Sequence, residues 1–362
     1  MARSADPQPD VEPLPAFAPR LLAWQRTHGR HDLPWQVRRT PYRVWLSEVM
    51  LQQTQVATAL PYFERFCAAL PDLPALARAP LDEVLALWSG LGYYSRARNL
   101  HRAAALCAER HGGEVPDDFD ALLALPGIGR STAGAILAQA FGRRAAILDG
   151  NVKRVLCRSH AVDGFPGQPQ VERRLWRLAD ALLPDADLPA YTQAVMDLGA
   201  TVCVRTRPAC PSCPLRADCR ALAADRVAEL PVPRPGRLLP ERSAAWWLLV
   251  DADDRVLLER RPERGIWGGL WSLPEFPDAD AAATALALRL GSDAGPPRAL
   301  APIRHVFSHF ALHAQPLHWR LQGSSMAVAD GAGERWLTRH ELAALGLPQP
   351  VRQLLAAHRF DD

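Results

Sequence analysis

From about Ala16 to Val227, apolar residues recur three and four positions apart, the period of an amphipathic helix. The stretches YRVWLSEVMLQQTQVATALPYFERF and ALLALPGIGRSTAGAILAQAF carry it most clearly, and convincing period-two alternation is absent there. This predicts an all-α body over residues 16–228, behind a flexible Pro-rich tail at 1–15. The segment LPVPRPGRLLPE breaks the pattern, and its prolines and arginines predict a stiff, exposed linker over 229–241. Beyond it, AAWWLLV and DRVLLERRP read as strands joined at a DADD turn, and GGLWSLPEF as a loop and strand. The segments DADAAATALALRL and PVRQLLAAHRF read as helices, so residues 242–362 form an α+β domain. The expected fold class is thus a multidomain chain, all-α and then α+β, without internal repeats.

Composition narrows the function little. A length of 362 residues suits two domains, and 48% hydrophobic residues suffice for sizeable cores. A net charge of +3 permits nucleic-acid binding without announcing it, so local clusters must carry that argument. Residues 203–242 hold eight arginines against four acidic residues, a surface suited to phosphates or, in its Pro-rich half, a solvated linker face. No apolar run approaches membrane-spanning length, and the start MARSADPQPDVEPLPAF lacks the apolar core of a signal peptide. A soluble cytosolic protein without membrane partners is expected.

Four of the seven cysteines, Cys203, Cys210, Cys213 and Cys219, crowd into one loop with the spacing C-x6-C-x2-C-x5-C. That density points to a metal site in a reducing compartment rather than to disulfides. Structural zinc sites draw on two close cysteine pairs, and only one exists here, so the spacing favours one 4Fe–4S cluster, with zinc as the alternative. Cys67, Cys107 and Cys157 stand in helical stretches as small core residues. The hairpin Leu125-Pro126-Gly127-Ile128-Gly129 between two helical segments lacks the Walker and dinucleotide patterns. Its backbone N–H groups could hold a phosphate at a helix N-terminus, or the turn could simply cap a helix.

The LPGIG hairpin, an aspartate about twenty residues on and the four-cysteine loop resemble the helix–hairpin–helix DNA glycosylases with an iron–sulfur cluster. The segments LPWQ, SEVMLQQTQV, GLGYYSRARNL, LPGIGRSTAGAIL and LDGNVKRVL are similar to those of the MutY-type adenine DNA glycosylases, over nearly the whole chain. Cleaving adenine's N-glycosidic bond requires protonation of the leaving base and stabilisation of an oxocarbenium-like sugar, hence two carboxylates with opposed pKa needs. On a helix, Trp45 and Leu51 flank Glu48 at three residues' distance, an apolar setting that raises its pKa. The resemblance makes Glu48 the acid that protonates adenine N7. It makes Asp149, which by position reads as a helix N-cap, the anion facing the oxocarbenium ion, with Asn151 orienting it.

The resemblance further places Trp35, Gln36, Leu51 and Gln193 around a flipped adenine. It makes Gln53 and Tyr93 duplex wedges, and implies double-stranded DNA with A opposite 8-oxoguanine or G as the partner of a monomeric, bacterial, nucleoid-associated enzyme. Arg96, Arg98 and Arg102 read as a basic stripe beside aromatics. Related lyases of the endonuclease III type carry a lysine where Ser131 stands, so a monofunctional hydrolase is implied. Lys153, the only lysine, would pair with Asp149 at i, i+4 or reach a DNA phosphate. Residues 242–362 resemble a MutT-like (Nudix-fold) domain that keeps Gly269 and Glu275 of its box but reads ATALAL at 283–288, where carboxylates would hold Mg²⁺. In the family such a domain reads 8-oxoguanine, here through Phe307, Ser308 and His309. An endonuclease III-type glycosylase/lyase and a non-catalytic Fe–S DNA-binding protein are the rival readings.

Overall fold

The computed structural model describes residues 12–236, 239–290, 295–321 and 333–358. Residues 1–11 of the expected tail, 237–238 of the expected linker and 359–360 of the last expected helix lie outside them. The chain divides into two compact units, Met1–Ala77 with Arg102–Gly236, and Arg78–His101 with Arg237–Asp362.

The helices up to the cysteine loop are α1 (Phe17–His28), α2 (Pro34–Val37), α3 (Pro41–Leu51), α4 (Val56–Ala69), α5 (Leu73–Arg78), α6 (Leu81–Trp88), α7 (Ser95–Arg110), α8 (Phe119–Leu123), α9 (Arg130–Phe141), α10 (Gly150–Ser159), α11 (Pro169–Ala181) and α12 (Leu188–Asp197), followed by α13 (Arg220–Ala223). The first unit has no strand among its described residues, as the helical period requires. Local chemistry sets the helix ends that matter. Thr40 caps α3 by accepting from Arg43 N–H at 3.2 Å, with Pro41 in the first turn. Asp149 caps α10 by accepting from Val152 N–H at 2.7 Å. Gly142, left-handed at φ 64°, ends α9.

Helix α9 is buried from Ala133 through Gln139, so it runs through the interior instead of showing one apolar stripe. Gly134 lets it pack directly on the Ala146 carbonyl, where any side chain would overlap. One core of this unit joins Phe17 and Leu21 of α1, Val155 and Leu156 of α10, Leu175 and Leu178 of α11, and Ala194 and Val195 of α12. Each fully buried Leu, Val or Phe there contributes roughly 1.5–3 kcal/mol. Helix α12 leaves this core through a π-helical turn, Leu198–Val202, that delivers Cys203.

In the second unit β1 (Glu241–Val250) turns into β2 (Val256–Arg260), followed by β3 (Trp271–Ser272), β4 (Glu275–Phe276), α14 (Ala279–Leu290), β5 (Arg298–Ala299), β6 (Ile303–Val306), β7 (Ala311–Arg320), β8 (Glu334–Leu337), α15 (Arg339–Ala343) and α16 (Gln349–Ala357). The mixed sheet runs β3-β2-β1-β7-β5, with β4, β6 and β8 pairing to β1, β7 and β2. Strands β1 and β7 are parallel from Glu241↔Ala311 to Val250↔Arg320. From Ala244 to Val250 β1 is buried throughout, which explains its unbroken apolar run. Ala245, Trp247 and Leu249 meet Ala282 and Leu286 of α14.

Residues 78–101 belong to this unit. Tyr94 Oη and Ser89 Oγ both donate to the Leu347 carbonyl, at 3.0 and 3.2 Å, and Arg352 donates to Ser89 Oγ at 2.6 Å. The expected stripe at Arg96, Arg98 and Arg102 is corrected. Arg96 is 7% exposed and donates to the Gly92 and Leu91 carbonyls, at 3.1 and 3.4 Å, which the tight turn leaves without helical partners. Arg98 donates to the Gly268 carbonyl, and Arg102 alone of the three is exposed.

Candidate active site

A cavity of about 1050 Å³ opens in the first unit, walled by α3, the starts of α9 and α10, and the π-helical turn. Trp35, Glu48, Leu51, Gln53, Ser131, Asp149, Asn151 and Gln193 all line it, although they span most of the unit's sequence.

Glu48 sits on the last turn of α3, partly buried. Its Oε1 accepts from Gln139 Nε2 of α9 at 3.0 Å. Burial, then the negative charge of Asp149, push its carboxyl up to about 8, and the Gln139 bond pulls the other way. The group therefore holds a proton near neutral pH. Asp149 is also raised by burial, but several contacts oppose this. The N–H groups of Val152 and Asn151, the Arg154 charge and the Asn151 side chain all favour its anion. Two carboxyls thus share one cavity, both raised by burial, and Asp149 has the larger set of contacts that favour its charged form.

Asn151 is held in turn. Its Oδ1 accepts from Arg154 Nη2 at 2.8 Å, and the same nitrogen reaches the Gly199 carbonyl at 2.6 Å. Arg154 Nε donates to the Cys203 carbonyl at 2.6 Å, so one guanidinium ties α10 to the π-helical turn and the cysteine loop. Gly199 is obligatory there, because a Cβ would stand 2.6 Å from Asn151 Cβ. Behind the cavity Asp197, fully buried, accepts from N–H and Nε of the lining residue Arg30, at 2.8 and 2.7 Å, and from Gln193 Nε2 at 2.8 Å. Gln193 Oε1 is left buried with no protein donor. Trp35 is 4% exposed and meets Phe63 edge-on at 5.1 Å.

Gln36 faces a neighbouring recess of about 360 Å³ that shares Gln193 with the main cavity. In the hairpin, Leu125 and Ile128 are buried and Gly127 and Gly129 exposed, with Gly127 at φ 82°, so the tip presents backbone outward. Ser131 Oγ accepts from Leu148 N–H at 2.9 Å. Lys153 pairs with Glu172 of α11, Nζ to Oε1 at 2.6 Å, where the sequence offered Asp149 or a phosphate.

Cys203, Cys210, Cys213 and Cys219 wall one small cavity of their own. Burial, and then the charges of the other three, push up the Cys213 thiol, so each of the other three sulfurs lies within electrostatic reach of it. Arg158 Nη1 lies 3.5 Å from Cys203 Sγ and anchors the loop through the Val204, Arg205 and Leu230 carbonyls. Four thiols lining one cavity beside the buried Arg158 are a donor set that suits an anionic thiolate-bound group. Among the described residues, however, no three His, Cys, Asp or Glu side chains are placed to hold a metal ion.

Comparison with known proteins fits this geometry. Residues 46–181 match the model of the HhH-GPD superfamily of base excision DNA repair proteins, and residues 245–357 match the NUDIX domain. The adenine DNA glycosylase of Buchnera aphidicola subsp. Acyrthosiphon pisum (strain APS) is 36% identical over 339 residues, covering 94% of this chain and 96% of that one. The chain belongs to the adenine DNA glycosylase family. The adenine DNA glycosylase of Homo sapiens is 35% identical, over 97% of this chain and 75% of its own. Among solved structures, a thermostable thymine-DNA glycosylase is 27% identical with a TM-score of 0.51, covering 58% of this chain and 96% of that one. The protein is thus a DNA repair enzyme that acts on adenine.

In the second unit of this glycosylase, Tyr93 stands 48% exposed at φ 49° on the turn between α6 and α7, its ring 5.4 Å from the Arg96 guanidinium. Residues Phe307–Phe310 close the β6–β7 hairpin, with Phe307 N–H donating to the Phe310 carbonyl at 2.8 Å. Ser308 and His309 are exposed at the tip, and Phe307 packs 5.2 Å from Trp267.

Sequence reasoning missed Gln139, Arg30, Asp197 and Gly199. Gln139 alone left a trace, a polar residue inside the apolar run AILAQAF.

Proposed function

We propose that this glycosylase excises adenine paired with 8-oxoguanine or guanine by hydrolysis alone, with Glu48 as general acid and Asp149 as the stabilising anion. The pairing of a proton-retaining Glu48 with Asp149, which caps α10 beside the Arg154 charge, in one cavity carries this reading. Glu48 gives its proton to N7 of the flipped base, and the glycosidic bond breaks with its electron pair going to the base. The oxocarbenium ion forms against Asp149, oriented by Asn151, and water adds to the sugar with loss of a proton. Trp35, Leu51 and Gln193 enclose the adenine, and Gln36 stands behind Gln193 in the neighbouring recess. The acceptor Gln193 Oε1, which lacks a protein donor, suits adenine's exocyclic amine.

Gln53 and Tyr93 wedge the duplex. Both hold left-handed backbones, at φ 57° and 49°, a strain that persists where a side chain must be aimed. The Leu125–Gly129 backbone takes a phosphate, and Phe307, Ser308 and His309 read 8-oxoguanine opposite the adenine. Cys203, Cys210, Cys213 and Cys219 would hold one 4Fe–4S cluster, which would fix the arginine-rich loop beside the π-helical turn. Ser131 is a hydroxyl committed to Leu148 N–H, and Lys153 is committed to Glu172, which argues against a lyase. The test uses duplexes with adenine opposite 8-oxoguanine, G or C. Free adenine should appear from the first two, and the strand should break only after alkali. Spontaneous strand cleavage would favour the lyase reading.

A further inference from the structure

Gln139 is 3% exposed, on a helix whose neighbouring residues from Ala133 to Ala138 are all small or apolar. A primary amide buried there needs a partner, and Glu48 Oε1 at 3.0 Å supplies it across 91 residues of sequence. The contact constrains the chemistry. An oxygen already receiving an N–H is the poorer site for a proton, so neutral Glu48 carries its proton on Oε2. After that proton leaves, the same N–H remains on the new carboxylate, which faces the charge of Asp149 from α10. Arg30 and Arg154 stand on the walls of the same cavity, and both are engaged elsewhere, with Asp197 and with the π-helical turn.

We infer that Gln139 is a positioning residue for the general acid: it selects Glu48 Oε2 as the atom that delivers the proton, and it stabilises the carboxylate left behind. This rests on the proposed role of Glu48. Burial and Asp149 hold the Glu48 carboxyl near 8, and Gln139 opposes them, keeping the acid strong enough to protonate a base.

The experiment is single-turnover adenine release across pH by the full-length enzyme and by Gln139→Leu and Gln139→Met. The two apolar side chains suit the buried helix, and Met matches the unbranched shape of Gln. Both variants should lose about tenfold in rate at the optimum, the weight of one charge-assisted hydrogen bond. Their alkaline limb should move upward by about one pH unit, because the acid has lost the donor that favours ionisation. Affinity for a duplex with a non-cleavable adenosine should not change. An alkaline limb that superimposes on wild type overturns the inference, as does a loss confined to DNA affinity. Glu48→Gln runs alongside. If it retains full rate, the assignment of Glu48 fails and this inference with it; if it is inactive while the Gln139 variants match wild type, only this inference fails.

Discussion

Replacing Glu48 by Gln is expected to stabilise the fold, and increasingly so as pH rises. The carboxyl is raised from 4.5 to about 8 in the folded protein. A group that binds its proton more tightly when folded lowers stability as pH climbs from its unfolded pKa to its folded one. Below about 4.5 the wild type bears no such cost. At about pH 5 the cost is roughly 1 kcal/mol, and at about pH 8 it reaches roughly 4 kcal/mol, at about 1.4 kcal/mol per pKa unit. The amide of Glu48→Gln would carry no charge and could still accept from Gln139, so the variant should escape most of this. Denaturant melts of both proteins, followed by circular dichroism across this range, read the difference directly. A stability gap independent of pH would refute the claim that Glu48 is held protonated by burial.

Gly199→Ala should push a Cβ into Asn151, lower adenine release by tenfold or more and destabilise the first unit by roughly 1–3 kcal/mol, measured by single-turnover kinetics and melting. Lys153→Ala should change stability by less than about 1 kcal/mol, because its ion pair with Glu172 is partly exposed, and should leave adenine release intact. Any borohydride-trapped adduct formed on abasic DNA through a lysine side chain should vanish with it, since no other lysine exists. Trp267→Ala removes ring contacts at 5.2 Å to Phe307 and 5.6 Å to His305. At roughly 0.5–1.5 kcal/mol per aromatic pair, the preference for 8-oxoguanine over guanine opposite adenine should fall by about tenfold in competition binding.

The features legible in the sequence are those that short-range rules govern. The helical period of α3 and α9, the N-cap at Asp149, the Trp45–Glu48–Leu51 face and the cysteine spacing all lie within one element or loop. The features that escaped depend on contacts between distant segments. Nothing near Gln139 or Asp197 in sequence reveals that they meet Glu48 and Arg30. Likewise GLGYYSRARNL reads as a basic surface, but its turn leaves carbonyls that draw Arg96 inward. Lys153 shows the same limit, since its partner Glu172 arrives from the next helix, although Asp149 is closer along the chain. Local pattern places the reacting groups on their elements; packing decides what holds them.

Joint action of Glu48 and Asp149 on a flipped adenine is tested most directly by adenine release from an A:8-oxoguanine duplex, measured across pH for wild type and for Glu48→Gln. The wild-type rate should fall above about pH 8 as Glu48 loses its proton. The variant should release no adenine at any pH while still binding the duplex. Adenine release by Glu48→Gln at the wild-type rate would contradict this joint action.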